Sequence, residues 1–278
     1  MKYSLILCTL NREDMLLRCI SSLQKQSFKD YEIIVVDQSD NETKKLSNKM
    51  NITYIYEKKK GLSNARNIAI SNAKSDYCCL IDDDAIYPED WLQTIDNVLG
   101  KNQYDLISGR ICDPDTGKYA LGGSRESSKQ NLGHLSVLHY CMSACSVIKT
   151  EILKRTLFDD RFGAGRHWGA GEETDVFWSI IESGGVVSYY PQVKIFHHVG
   201  TRKDVSLDRI ESYNLGFGAL YAKHSNLFVV RILFIYALFR NIAGMIIFAI
   251  MRNQDGFKRQ KIAFDSKKTG YKEYRTFV

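Results

Sequence analysis

Apolar and polar positions come in blocks along the first hundred residues. Residues 3–10 form an apolar run. Residues 13–24 repeat apolar side chains at three and four, at Met15, Leu16, Cys19, Ile20 and Leu23, which is helical spacing. β-Branched and aromatic runs at residues 31–37, 52–56 and 77–81 read as strands. Helical stretches fall at 41–50, at 62–73 with Ser63 as cap, and at 89–99, entered through Pro88. Continuously apolar strands alternating with helices predict a mainly parallel sheet covered on both faces, an α/β fold.

The alternation then loosens. Residues 105–111 read as a fifth strand and 112–133 as a long polar loop. Residues 139–148 read as a strand, 150–155 as a short helix, 158–171 as a glycine-rich loop and 172–182 as a helix ended by Gly184 and Gly185. Two more strands are expected at 186–190 and 193–197, and a helix at 213–224.

Open parallel sheets bind ligands outside the carboxyl ends of their strands. The polar residues that follow the strands are therefore expected on one edge: Thr9, Asn11 and Arg12, then Asp37, then residues 57–61, then Asp82, Asp83 and Asp84. Three consecutive acids repel one another unless something neutralises them. A hard divalent cation would do so through carboxylate oxygens; an acidic turn in solvent is the competing reading.

Composition is that of an ordinary globular protein, 44% hydrophobic and 25% charged over 278 residues. Seven cysteines form no C-x-x-C pair, which argues for reduced thiols in a cytosolic compartment and against a zinc site. The first apolar run is cut off at Asn11, too early for a secretory signal. Charge changes the picture more. Residues 252–278 hold eight Lys/Arg against three Asp/Glu, so +5 of the +6 net charge lies in the tail and residues 1–251 carry +1. No nucleic acid partner is expected for the body of the chain.

Residues 227–251 are strongly apolar but interrupted by Arg231 and by Arg240 and Asn241. Neither part alone reaches the twenty or so apolar residues of a spanning helix. The expectation is an interfacial or re-entrant helix pair, with the basic tail meeting anionic lipid; a core or oligomer-forming helix is the alternative.

Six segments, in order, then become specific: Cys8-Thr9-Leu10-Asn11-Arg12, Val35-Val36-Asp37, Gly61-Leu62-Ser63-Asn64-Ala65-Arg66-Asn67, Asp82-Asp83-Asp84, Gly171-Glu172-Glu173-Thr174-Asp175 and His197-His198. Together they resemble the family 2 glycosyltransferases of the GT-A fold over about residues 3–200. The resemblance implies a catalytic domain at 1–200, with a nucleotide-binding half at 1–111 and an acceptor-binding half at 112–200. A helical, membrane-associating extension would follow at 201–278. It implies a metal-dependent, inverting transfer from a nucleotide-sugar donor (UDP-, dTDP- or GDP-linked) to a hydroxyl of a glycan or lipid-linked acceptor. Such an enzyme would sit in the cytoplasm at the inner face of the cell membrane.

The resemblance also implies roles. Asp82 and Asp84, with one of His197 and His198, would hold Mn²⁺ or Mg²⁺, and Asp83 would touch ribose or the donor sugar. Thr9, Asn11, Arg12, Asp37, Gly61 and Arg66 would bind the donor nucleotide and its phosphates. Glu173 would be the base, with Asp175 and Glu172 as alternatives; the family pattern usually has Asp at the second acid position, where this chain has Glu173. Trp168 and Glu172 would meet the acceptor, with Tyr119, Arg125 and His167 on the same loops. The rival readings are a non-catalytic nucleotide-sugar-binding scaffold, and a nucleotidyltransferase, whose Gly-rich loop after the first strand is missing here. A homo-oligomer stays open.

Overall fold

The computed structural model describes residues 1–43, 52–100, 104–120, 127–198 and 205–277. The helix expected at 41–50 and Arg125 therefore lie outside the described residues, apart from residues 41–43, which are not helical. Contacts divide the chain into two units. One is Met1–Phe158 with Val176–Val199, the other Asp159–Asp175 with Gly200–Val278. Segment 159–175 thus groups with the C-terminal helices, whereas the sequence reading placed a boundary near residue 200.

The first unit is a seven-stranded sheet flanked by helices. Its strands are β1 (Tyr3–Thr9), β2 (Tyr31–Asp37), β3 (Ile52–Tyr56), β4 (Tyr77–Asp82), β5 (Leu106–Cys112), β6 (Val147–Lys149) and β7 (Val187–Phe196), in the order β3-β2-β1-β4-β6-β5-β7. β1 to β4 pair in parallel and β5 pairs in parallel with β7. Only β6 runs against its neighbours. The mainly parallel α/β architecture is as expected. The register sets Thr9 opposite Asp37 and Cys8 opposite Asp82, so three strand ends reach one edge together.

Helices α1 (Glu13–Gln24), α2 (Leu62–Asn72) and α3 (Trp91–Leu99) connect these strands. The core packs Leu5, Leu7, Val35, Ile81, Ile95 and Trp91 among others, all under 6% exposed. Gly61, not Ser63, is the residue before α2; its φ of +131° is a backbone state that a side chain would resist.

Two expectations fail here, each for a physical reason. Residues 139–148 are not a strand: α4 (His134–Tyr140), a 3₁₀ turn at Ser143–Cys145 and the short β6 divide the run. An apolar run without period does not distinguish these states. The strands expected at 186–190 and 193–197 are one strand, β7, which continues through Pro191. β7 is the outermost strand, where a missing N–H is tolerated. The pairing shifts register at Gly109, whose Cβ, if it had one, would overlap the Val193 carbonyl oxygen. After α5 (Thr150–Thr156) comes α6 (Glu172–Glu182), as expected.

The second unit holds α7 (Leu207–Lys223), α8 (Phe228–Ile250) and α9 (Gln254–Phe277). α7 begins earlier than expected, capped by Ser206, whose Oγ accepts the Arg209 N–H at 3.2 Å. α7 and α9 approach closely through small residues: a Cβ on Gly218 would overlap the Lys267 carbonyl oxygen, and one on Gly270 that of Leu215. α8 is a single unbroken helix, so the expected helix pair within 227–251 is corrected. Asn241 does not break it because its side chain points inward, donating to Gln260 Oε1 at 2.7 Å and accepting from Lys267 Nζ at 3.1 Å.

Candidate active site

The acid triplet follows directly on β4, and the sheet edge assembles cations around it. Arg12 Nη1 lies 3.2 Å from Asp83 Oδ1 and 3.0 Å from Asp84 Oδ2. Arg66, buried on α2, sits 3.9 Å from Asp82 Oδ1 and over the ring of Phe158 at 5.1 Å. Arg66 is only 5% exposed.

His197 arrives from the end of β7. Two backbone bonds place it: Ile86 N–H to Phe196 O at 2.8 Å, and Phe196 N–H to Ile86 O at 2.9 Å. This bridge ties the triplet loop to the end of β7, and His197 Nε2 comes to 2.9 Å from Asp84 Oδ1. His197 is thus the histidine beside the triplet. His198 points elsewhere, exposed, 3.9 Å from Asp113 and 3.8 Å from Asp115. The His197 bond holds the Asp84 carboxyl below its ordinary range, against burial and with help from Arg12. The same bond raises His197.

Asp82, Asp84 and His197 can each aim one ligand atom so that all lie within 4.8 Å of one another. Two carboxylates and an imidazole suit Mn²⁺ or Mg²⁺, and only a small contraction would bring them to bonding distance, so the donor set fits. Asp83 differs from its neighbours. It is 6% exposed, Oδ2 accepts from Thr9 Oγ1 at 2.6 Å, and Oδ1 takes Arg12. Burial raises its carboxyl, and Thr9 and Arg12 only partly offset that. Asp83 thus organises the loop from inside.

Asp37 is likewise turned inward. It accepts the Ser39 N–H at 2.9 Å, the Thr43 N–H at 3.1 Å and the Tyr54 hydroxyl at 2.7 Å. Burial opposes its ionisation, but these bonds prevail and hold the carboxyl below its usual range. Fully buried, it fixes the loop after β2. Asn11, at φ +57°, pins the same loop: its N–H donates to Ser39 Oγ at 2.8 Å and its amide brackets Asp40. Gly61 closes the edge by donating to Gln38 Oε1 at 3.1 Å.

In the second unit lies the start of α6, reached through Gly171 at φ +99°. Of its three acids, Glu172 and Asp175 are buried and Glu173 is partly exposed. Asp175 is fully engaged: Lys223 Nζ donates to it at 2.7 Å and His224 Nε2 lies at 2.8 Å. Lys223 also donates to Asp159 at 2.9 Å, and Arg161 donates to both Asp159 oxygens through Nε and Nη2, at 2.9 and 2.7 Å. Sequence reasoning missed Lys223, His224 and Asp159; their signal was only a Lys-His pair at a helix end. Trp168 is 3% exposed, packed 5.0 Å from the rings of Phe162 and Tyr274 with Arg161 above it, so it presents no free face for stacking. His167 pairs with Glu273 at 2.9 Å, and Tyr119 lies under Arg110 in the first unit.

This edge gathers the acid triplet, the inward Thr9 and two arginines, and sequence comparison gives the family. Residues 4–157, more than half of the chain, match the profile of Glycosyl transferase family 2, and the chain belongs to that family. It is 27% identical over 173 residues to the poly(ribitol-phosphate) beta-N-acetylglucosaminyltransferase TarP of Staphylococcus aureus (strain N315), covering 55% of this chain and 50% of that protein. It is 31% identical over 114 residues to glycosyltransferase GlyA of Streptococcus pneumoniae serotype 4, covering 39% of this chain and 16% of that one. The chain thus spans half or less of these two relatives. Among solved structures, S. aureus TarS 1-349 superposes with a TM-score of 0.62 at 15% identity, over 100% of this chain and 92% of that one; related TarS structures hold UDP or UDP-GlcNAc. A mannosyltransferase from Pyrobaculum calidifontis, in complex with GDP-Man and Mn²⁺, gives 0.62 at 14% identity, over 100% and 76%. At these identities the structural likeness establishes the GT-A type of fold.

Proposed function

We propose that the chain transfers a sugar, with inversion, from a nucleotide-sugar donor to a hydroxyl of a glycan or lipid-linked glycan acceptor, and that the transfer depends on Mn²⁺ or Mg²⁺. The observation that carries this is the convergence of Asp82, Asp84 and His197 within 4.8 Å beside Arg12 and Arg66. When bound there, the metal would supply positive charge against the departing diphosphate. The complexes of UDP, UDP-GlcNAc and GDP-Man with the neighbouring folds support a UDP-, dTDP- or GDP-linked donor.

The chain's own groups do the rest. Arg66 and Arg12 bring guanidinium charge to the phosphates, which suit planar, bidentate donors. Thr9 and Asp83 hold Arg12 in place, while Asp37, Asn11 and Gly61 shape the loops around the base. Glu173, the partly exposed acid of α6, takes the proton of the acceptor hydroxyl. That oxygen bonds to the anomeric carbon as the bond to the diphosphate breaks, and the carboxyl of Glu173 keeps the proton. Glu172 and the buried Trp168 support the acceptor side. The protein works in the cytoplasm, in peripheral contact with the cell membrane through residues 227–278.

The test is transfer from a panel of nucleotide sugars with Mn²⁺, before and after chelation. Activity should vanish with chelator and return with metal. Equal turnover in chelator would remove the metal, and Glu173→Gln with full activity would remove the base. Nucleotide binding with no turnover on any acceptor would favour the scaffold reading.

A further inference from the structure

Among the described residues, α8 leaves a stripe of large apolar side chains exposed. Phe228, Ile232, Ile235, Phe239, Ile246 and Ile250 range from 48% to 78% exposed. At 100° per residue they fall within about 60° of one another, along a helix of roughly 34 Å. The opposite face, Val230, Leu233, Ala237 and Asn241, is buried. The stripe has cationic flanks: Arg231 is about 60° to one side of Phe228 and Arg240 about 120° to the other. No acid occurs between Leu227 and Gln254.

By length and composition α8 could cross a membrane. Its packing speaks for a different orientation. α9 runs alongside it for most of its length: Gly256 meets Phe248, Gln260 meets Asn241 and Gly244, and Tyr271 stacks on Phe234 at 4.3 Å. α9 carries Lys258, Arg259, Lys261, Lys268, Lys272 and Arg275, which a bilayer interior would not accept. A helix fastened along its inner face to so charged a partner cannot stand across the hydrocarbon. A second copy of the same stripe is also disfavoured, because it would bring Arg231 and Arg240 together with no carboxylate on either helix.

We infer that α8 lies flat in the surface of an anionic lipid bilayer. The Phe228–Ile250 stripe enters the acyl boundary while Arg231 and Arg240 reach lipid phosphates from its two sides. The basic residues around α9 add electrostatic attraction to the same surface. This places on one helix face, and orients, the membrane contact named above. It is read without substrate, so its failure would leave the transferase reading standing.

The experiment is flotation of the full chain with phosphatidylcholine vesicles and with vesicles also containing phosphatidylglycerol. Binding is expected to be stronger on the anionic vesicles, to weaken with salt, and to be released by alkaline carbonate. Ile235→Glu with Phe239→Glu should weaken it about a hundredfold, the loss expected for two large apolar side chains kept out of the acyl layer. Ile246→Glu with Ile250→Glu, on the same stripe, should act alike; circular dichroism on both pairs checks that the helices persist. No flotation on either vesicle would overturn the inference. Resistance to carbonate would overturn the flat orientation, and a dimer in light scattering that both double variants dissociate would replace lipid with a second copy.

Discussion

Lys223→Met removes the cation that, among the described residues, joins Asp159 to Asp175. Its Nζ lies 2.9 Å from the first and 2.7 Å from the second. The side chains are 25%, 13% and 4% exposed, so this is a largely buried network. Breaking such a pair by deleting one partner costs about 3–5 kcal/mol, because a charge is left uncompensated out of water. Here each acid keeps one partner, Arg161 for Asp159 and His224 for Asp175, and the lysine is a quarter exposed. The lower end, about 3 kcal/mol, is therefore expected. Urea denaturation followed by circular dichroism measures it, with Lys223→Arg as the control that keeps the charge. The turn carrying Glu173 leans on this network, so kcat should fall more than the affinity for donor. A loss below about 1 kcal/mol would show that the network behaves as an exposed surface pair, and would refute the reasoning.

Burial among the helices lowers the Lys267 amine to about 8, with Arg240 adding repulsion. Unfolded, it returns to about 10.4. The unfolded chain therefore binds more protons between these values, and Lys267 makes stability rise with pH from about 8 to about 10; thermal melts should show the rise, and Lys267→Met should abolish it. Gly109→Ala would drive a methyl into the Val193 carbonyl oxygen across the β5–β7 pairing; a loss of about 3 kcal/mol in chemical denaturation is expected, at the top of the usual overpacking range. Gly216→Val would push on the Ala170 backbone just before α6; transfer should drop while Mn²⁺ affinity of the first unit, measured by calorimetry, stays unchanged. His197→Ala removes one of three converging donors and should weaken Mn²⁺ in the same calorimetry by tenfold or more, an effect of about 1.4 kcal/mol.

The sheet was legible because its central strands are buried on both faces. Apolar runs at β1, β2 and β4 declare themselves without reference to anything distant. The same logic gathered Thr9, Asp37 and the triplet on one edge. What could not be read locally was set by partners far along the chain. Pro191 looks like the end of a strand, and only the position of β7 at the sheet edge lets it lie inside one. His197 and His198 are equivalent in sequence; the Ile86–Phe196 bridge, spanning more than a hundred residues, brings His197 beside Asp84. Arg240 and Asn241 read as an interruption of an apolar helix. Gln260 and Lys267, one helix later, make Asn241 an interior residue.

The triplet itself shows why adjacent identical residues take different work. The turn that follows β4 points Asp83 inward to Thr9 and leaves Asp82 and Asp84 converging with His197. Three carboxylates in sequence would repel, yet the described structure holds them with Arg12, Arg66 and His197. The site is therefore electrostatically organised before any ion enters. Arg12 is the hinge of this arrangement, since it bridges the inward acid and an outward one. If Arg12 serves the phosphates, Arg12→Lys should raise the donor KM while leaving Mn²⁺ affinity nearly intact, because one ammonium cannot bridge two carboxylates and meet a diphosphate in the planar way a guanidinium does. An unchanged donor KM would confine Arg12 to holding the loop.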